Sequence, residues 1–406
     1  MREIVVIGLG YVGLPVAVSF AQAGFQVFGF DVDANKVSNI KKGLIDSPDV
    51  NVSVLLDLVS TNNLEIVNEI PKLEKPATFI ITVPTPLKED GTPELSMLEN
   101  ACLLISSVVQ EGSLIINEST SFIGTLRNFI KPLIERNSGK SNIKFAVAPE
   151  RIDPGNKNWN ISNTPRIVSG LCRDAVKVSS ELYKNICSSV LVTSVPEIAE
   201  SAKLFENTFR QVNIALVNEF SQISRKYGFS ANEAIRLASS KPFGFMPFFP
   251  GIGVGGHCIP VDPKYLVYSA ELVGVETKII NVANETNSFT PINVANRIAQ
   301  LFERKLSGKK IQLAGITYKK NSSDLRESPA LALMSELRNL GATLTWFDPL
   351  VSDFNDGKSP CLDTNIDLGL VITPHDCIDL SVWLTNGTNV LDLSSDKENY
   401  GWPKFL

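Results

Sequence analysis

The chain has 406 residues, enough for two or three domains with sizeable hydrophobic cores. Hydrophobic residues make up 44% and charged residues 20%, as in an ordinary globular protein, and a net charge of −5 without any basic run gives no electrostatic footing for nucleic acid. Six cysteines without CxxC spacing indicate neither a zinc ribbon nor a disulfide framework, and the start, MREIVVIGLG, enters a strand pattern with no room for a signal peptide. No apolar run reaches the roughly 18 residues of a membrane span. The expectation is a reduced cytoplasmic protein with no membrane or nucleic-acid partner, and an anionic substrate would need a local cluster of Lys and Arg.

Residues Glu3 to Gly8 form an apolar run of the kind found in a central parallel strand. The run opens into Gly8-Leu-Gly10-Tyr-Val-Gly13, then helical material, then a strand from Gln26 that ends on Asp31, 18 residues beyond the last glycine. A GxGxxG alone is weak evidence. Placed between strand and helix, with an acid at that distance, it predicts a dinucleotide site. The first two glycines permit a tight turn and let a pyrophosphate approach backbone N–H groups; the third lets the helix pack on the strand. Asp31 would accept hydrogen bonds from the adenosine ribose and repel a 2′-phosphate, favouring NAD over NADP.

Further strands are predicted from Thr78, from Ser113 and from Ile143. The first two run toward Thr85 and Thr120, each either a ligand contact beyond a strand end or a turn residue. The third delivers Glu150 and Arg151, where an acid is either a general base or a surface carboxylate. The strand pattern stops near Val195, and Glu197 to Lys226 reads as one long helix between Pro196 and Gly228. On it Lys203 and Asn207 share a face, either as solvated residues or as part of a site. A second helix, Ser230 to Ser239, precedes KPFGFMPFFPGIGVGGHC, too rich in Pro, Gly and Phe for a helix and long enough to suggest function. Within it Cys258 is a nucleophile, a metal ligand or a buried thiol. Residues 263–306 return to helical character. Strands from Lys309, Thr343, Leu368 and Asn389, with a helix at Leu331 to Asn339, then make a second, smaller α/β unit without a GxGxxG. Between its first strand and helix lie Lys319, Lys320 and Arg326, either the local positive charge that the net charge does not supply or a solvated basic loop.

Seven motifs in order resemble one family, the nucleotide-sugar 6-dehydrogenases: GLGYVGLP (8–15), VPTP (83–86), EST (118–120), PER-x-x-PG (149–155), AKLFENTFRQVNIALVNE (202–219), PG-x-G-x-GGHCIPVDP (250–263) and YKK-x₄-LRESPAL from Tyr318. The resemblance implies an α/β chain: a Rossmann domain for NAD (1–195), a helical middle with the long connecting helix, the cysteine loop and a dimer interface (196–306), and a smaller Rossmann-like domain for the UDP-sugar (307–406). It implies oxidation of a C6 hydroxyl to a carboxylate through a thiohemiacetal and a thioester on Cys258. Transferred by position, Lys203 stabilises developing negative charge, Asp262 orients water or takes up a proton, Glu150 handles protons in the hydrolytic half, and Asn207 positions substrate. Thr120 joins the catalytic set and, with Gly8, Gly10, Tyr11, Val12, Gly13, Asp31, Thr85 and Arg326, the cofactor set. Glu150, Arg151, Lys203, Asn207, Phe249, Gly253, Gly255 and Lys319 would contact the substrate.

The segment from Lys241 to Phe249 and the cysteine loop look most like members acting on UDP-N-acetylglucosamine, with UDP-N-acetylmannosamine and UDP-glucose as alternatives. No arginine lies at Lys241 to Met246, where several relatives carry one. Ala148 departs from the usual residue before the PER motif, and residues 48–62 fit the family poorly. The competing readings are a two-electron dehydrogenase, a non-catalytic nucleotide-sugar binder, and a zinc site at His257 and Cys258. The intact set Cys258, Lys203, Asp262 and Glu150 speaks against the binder, and adjacent residues seldom ligate one ion, so no metal is expected.

Overall fold

A computed structural model of the chain describes residues 3–45, 47–153, 156, 158–352, 354, 357–395, 401–402 and 404–406. Pro154 and Gly155 of the PER-x-x-PG motif lie outside the described residues. The chain divides into two compact units, residues 1–206 with 264–273, and residues 207–263 with 274–406.

The first unit is an α/β sandwich. Its elements are β1 (Ile4–Ile7), α1 (Gly13–Gln22), β2 (Val27–Phe30), α2 (Ala34–Lys41), α3 (Val52–Ser60), β3 (Leu64–Val67), β4 (Thr78–Ile81), α4 (Ser96–Val108), β5 (Leu114–Asn117), α5 (Lys131–Ser138), β6 (Lys144–Val147), β7 (Arg166–Gly170), α6 (Arg173–Tyr183) and β8 (Val190–Val192). The sheet runs β3-β2-β1-β4-β5-β6-β7-β8, parallel throughout except where β7 meets β6. Strands β1, β2, β4 and β5 are buried at every residue, because helices cover both faces, and their unbroken apolar runs follow from that. Two cores result, one on each face of the sheet, with Phe20 and Leu55 in the first and Phe79 and Ile105 in the second.

Sequence reasoning places the strands of β1, β2, β4, β5 and β6 but not β3, β7 or β8. Half-buried β3 alternates buried and intermediate residues, and β8 is a short, largely exposed edge. A π-helical turn at Leu126–Ile130, which nothing in the residue pattern indicates, precedes α5.

The long helix α7 (Pro196–Tyr227) matches its expected span. The second unit continues with α8 (Ala231–Ala238), α9 (Asp262–Glu271, only its first two residues in this unit), α10 (Lys278–Leu301), β9 (Lys310–Ala314), α11 (Pro329–Asn339), β10 (Thr343–Phe347), β11 (Leu368–Val371), α12 (Ser381–Thr385) and β12 (Val390–Asp392). Its parallel sheet has the order β10-β9-β11-β12. Trp346 and Trp383 are fully buried in its two cores. No helix among the described residues is long and apolar enough to cross a membrane.

Candidate active site

In the first unit the carboxyl ends of β1, β2 and β4 build the glycine loop. Gly8 has φ +93°, and a Cβ on Gly13 would lie 1.8 Å from Gly8 O and 2.4 Å from Thr82 Oγ1, so both positions require glycine. A Cβ on Gly10 would meet nothing within 4 Å, which leaves the loop open on that side. Helix α1 begins here without a side-chain cap, whereas Asp33 and Asn51 cap α2 and α3. Thr82, absent from the expected set, fixes the turn by donating to Ile7 O at 3.0 Å and Gly8 O at 2.7 Å.

Asp31 is buried at the end of β2. Its Oδ2 accepts from Leu9 N at 2.9 Å and Lys36 Nζ at 2.7 Å, and its Oδ1 accepts from Asp33 N at 3.1 Å. Burial pushes its carboxyl up, but these hydrogen bonds outweigh burial and hold it below the ordinary value. A carboxylate has about four acceptor positions, so it retains capacity for ribose hydroxyls. The open Gly10, the uncapped α1 and this ionised acid fit a dinucleotide.

Beyond β5 and β6, Glu118 is completely buried. Its Oε2 accepts from Arg166 at 3.1 Å, and its Oε1 accepts the Tyr183 hydroxyl. Arg166 also donates to Ala148 O at 3.1 Å and stacks over the Tyr183 ring, 5.2 Å from its centroid. Burial would lower Arg166, but Glu118, Tyr183 and Glu150 outweigh it and hold the guanidinium charged. The trio braces the end of β6 just before Glu150, which is itself buried and accepts from Ile152 N. Sequence reasoning missed Arg166 and Tyr183; the signal was Glu118, an acid beside an apolar strand, which must find a partner when buried.

Ser119 Oγ donates to Val83 O at 2.8 Å, joining the EST and VPTP segments, and Thr120 follows half-buried. Thr85 O accepts from the Tyr265 hydroxyl at 3.2 Å. Arg151 forks onto Glu206 at 2.6 and 3.2 Å and donates to Pro165 O at 2.8 Å, so its head group is largely engaged. Lys203 is only 8% exposed, which removes the solvated alternative for it. One turn earlier, Glu200 accepts from Gly124 N at 2.6 Å and Leu126 N at 3.0 Å, pinning α7 to the π-helical turn.

In the second unit Asn207 donates through Nδ2 to Asp262 Oδ2. Asp262 is buried and opens α9, and its N–H donates to Cys258 O at 2.8 Å, so cysteine and aspartate sit one helical turn apart. Cys258 is half-buried, with Sγ 3.5 Å from His257 Nε2. The loop before it is shaped by close packing. Gly251 N donates to Asn218 Oδ1 at 3.0 Å, a Cβ on Gly253 would lie 3.1 Å from Asn287 O, and one on Gly255 2.6 Å from Tyr318 Cβ. Phe249 precedes this loop, half-buried. Lys319 lies on the segment after β9; Lys320 pairs with Asp376 at 2.9 Å, and Arg326 forks onto Asp324 at 2.6 to 3.0 Å.

Comparison with known proteins gives three matches to one family along the chain. The NAD binding domain of the UDP-glucose/GDP-mannose dehydrogenase family matches residues 2–187, its central domain residues 197–289 and its UDP binding domain residues 312–390. A UDP-N-acetyl-D-glucosamine 6-dehydrogenase of Pseudomonas aeruginosa is 34% identical over 86% of this chain and 83% of its own length. A UDP-N-acetyl-D-mannosamine dehydrogenase of Pyrococcus horikoshii is 34% identical over 92% of this chain and 89% of its own. The solved structure of a UDP-D-ManNAc dehydrogenase from Pyrococcus horikoshii superposes with a TM-score of 0.89 at 32% identity, covering 99% of this chain and 98% of that one.

Proposed function

The chain belongs to the UDP-glucose/GDP-mannose dehydrogenase family and is an NAD-dependent nucleotide-sugar dehydrogenase, and from that premise we propose that it oxidises the C6 hydroxyl of a UDP-N-acetylhexosamine to the carboxylate through Cys258. The observation that carries this reading is the half-buried Cys258 one helical turn before a buried Asp262, whose carboxylate Asn207 holds in place. The roles follow the expected division: residues 1–195 for NAD, 196–306 for catalysis and assembly, and 307–406 for the uridine nucleotide.

Gly8, Gly10, Tyr11, Val12, Gly13 and Asp31 hold NAD, with Thr85, Thr120 and Arg326 completing the set. NAD, when bound, accepts a hydride in each of the two oxidations. In the first, Lys203 stabilises negative charge on the C6 oxygen as the alcohol loses its proton, giving the aldehyde. The Cys258 thiolate then adds to the aldehyde carbon to form a thiohemiacetal, and loss of the second hydride leaves a thioester. Glu150 and Asp262 deprotonate and orient water for attack on the thioester carbonyl, which releases the carboxylate and returns the thiol. Glu150, Arg151, Asn207, Phe249, Gly253, Gly255 and Lys319 position the nucleotide sugar.

We take UDP-N-acetylglucosamine as the substrate, because the segment from Lys241 to Phe249 and the cysteine loop follow the pattern of enzymes for that sugar. A mannosamine substrate is the specific alternative, since relatives named for the two sugars stand at the same 34% identity. The protein is proposed to act as a homodimer through α7. Its exposed Phe205, Phe209, Leu216, Ile223 and Tyr227 recur at intervals that place them on one stripe of the helix, an apolar surface a second copy would cover.

The test is NADH formation with UDP-N-acetylglucosamine, UDP-N-acetylmannosamine, UDP-N-acetylgalactosamine and UDP-glucose, for the native enzyme and Cys258→Ala. The preferred substrate should be the glucosamine nucleotide, and the variant should form no acid while still binding NAD. Native turnover in Cys258→Ala would end the covalent reading.

A further inference from the structure

One of the chain's two histidines, His375, has no part in the chemistry above, yet it lies where the small sheet meets the nucleotide loop. In the order β10-β9-β11-β12 the chain leaves β9 in one direction and reaches β11 on the other, so the crevice for a ligand opens beyond the ends of β9 and β11. Gly315 to Thr317 occupy the first of these ends, and Thr373 and His375 the second.

His375 is only 2% exposed. Its Nδ1 lies 2.8 Å from the backbone N of Asn321, which has a hydrogen to donate, so Nδ1 is the acceptor and the ring proton resides on Nε2. That Nε2–H faces Asp348 Oδ2 at 3.0 Å and Thr317 Oγ1 at 3.2 Å. Asp348 is itself fixed, accepting from Ile316 N at 2.9 Å and Leu350 N at 3.0 Å. Asn321 adopts φ +60°, a left-handed conformation Asn tolerates well, and its side chain ties to Asp376, with Nδ2 donating at 2.7 Å. Thr373 Oγ1 donates to Thr317 O at 2.5 Å. One imidazole therefore pins both ends of the turn that carries Tyr318, Lys319 and Lys320.

The same segment reaches the cysteine loop. Gly256 N donates to Arg326 O at 3.0 Å. A Cβ on Gly255 would lie 2.6 Å from Tyr318 Cβ, and one on Gly256 2.7 Å from the Tyr318 ring, so the backbone two residues before Cys258 rests against Tyr318. Ser328 Oγ closes the segment by donating to Ile316 O at 2.7 Å.

We propose that His375 is a positioning residue: bound to Asp348 through Nε2 and to Asn321 through Nδ1, it holds the Tyr318–Lys320 turn so that Lys319 meets the uridine nucleotide and Tyr318 seats the loop of Cys258. This rests on the reading of Lys319 and Cys258 given above. Its consequence is that nucleotide affinity and the accessibility of the nucleophile respond together to a group that touches neither.

The test uses His375→Ala, His375→Asn and Thr317→Val in the full-length enzyme. Binding of UDP and of NAD is measured by calorimetry, KM for the nucleotide sugar by NADH formation, and the reactivity of Cys258 by its rate of alkylation with iodoacetamide. In His375→Ala we expect UDP affinity to fall, and the nucleotide-sugar KM to rise, on the order of tenfold, with faster Cys258 alkylation and unchanged NAD affinity. His375→Asn offers a side-chain oxygen to Asn321 N and should recover part of the loss. Thr317→Val, close in shape, removes the contact to Nε2 at 3.2 Å together with the bond that Thr317 Oγ1 donates to Lys319 O at 3.1 Å, and should show the same pattern. UDP affinity and alkylation rate at native values in His375→Ala would overturn the proposal, as would equal losses for UDP and NAD. Should His375→Ala fail to fold, native UDP affinity in both other variants overturns it just as well. Native enzyme that bound no UDP would defeat the functional reading itself; native binding with unaffected variants defeats this proposal alone.

Discussion

Two corners of the molecule share a backbone plan and differ in what covers it. In the large sheet β2-β1-β4, and in the small sheet β10-β9-β11, a glycine of positive φ follows the central strand, Gly8 at +93° and Gly315 at +74°. Each donates its N–H at 2.9 Å to the last residue of the neighbouring strand, Phe30 or Phe347. The next residue, Leu9 or Ile316, donates at 2.9 Å to an aspartate after that strand, Asp31 or Asp348. A threonine from the third strand closes each corner, Thr82 or Thr373. The plan diverges at the aspartate. Lys36, more than a third exposed, pairs with Asp31, and the glycine loop beside it is open at Gly10. Buried His375 covers Asp348, which has no exposure left. In our reading one covering group decides the use of the corner: under a partly exposed lysine, the acid serves a ribose; capped by a buried imidazole, it becomes the anchor of a loop that serves a different nucleotide.

Three comparisons test this contrast, the largest in effect first. Gly315→Ala should destabilise the protein far more than Gly8→Ala, because its Cβ would lie 1.9 Å from Thr373 O, against 3.0 Å from Thr82 O for the other. The left-handed backbone adds strain at both, and roughly 3 kcal/mol or more is expected at Gly315, read as a fall in Tm. Equal losses at the two positions would break the contrast.

Asp31→Asn and Asp348→Asn should separate next. The first should weaken NAD on the order of tenfold and relax discrimination against NADP while leaving UDP binding intact. The second should weaken UDP, spare NAD and cost about 2–4 kcal/mol of stability, since it breaks a buried pair. The same variants report on acid stability, the smallest effect. Burial pushes both carboxyls up, but hydrogen bonds, with Lys36 foremost for Asp31 and His375 for Asp348, hold them below the ordinary 3.8. Below that value the unfolded chain binds more protons than the folded one, so their stabilisation is present above about pH 4 and is lost as pH falls through their folded pKa values. Each Asn variant should flatten that acid limb of the Tm curve.

The open corner was legible in the sequence and the capped one was not, for a physical reason. Gly8, Gly10, Gly13 and Asp31 act through local turns and one strand-to-strand step, so spacing alone exposes them. His375 and Asp348 are 27 positions apart, and neither residue sits in a motif that announces the other. Glu118, Arg166 and Tyr183 behave likewise, joined across 48 and 65 positions by packing that no local period encodes. Lys203 and Asn207 show the intermediate case: their shared helix face was evident from spacing and their roles came only with the family resemblance, while the burial of Lys203 and the bond from Asn207 to Asp262 depend on residues distant in sequence. Strand β7 escaped notice because it joins its neighbour antiparallel after a long irregular segment, outside the strand–helix alternation that revealed β1, β2, β4, β5 and β6.

The most direct test of the account is the number of NADH molecules formed for each nucleotide sugar consumed to completion. The route through a thioester on Cys258 predicts two, with the uronic acid as product. One NADH per sugar, with an aldehyde as the product, would contradict it.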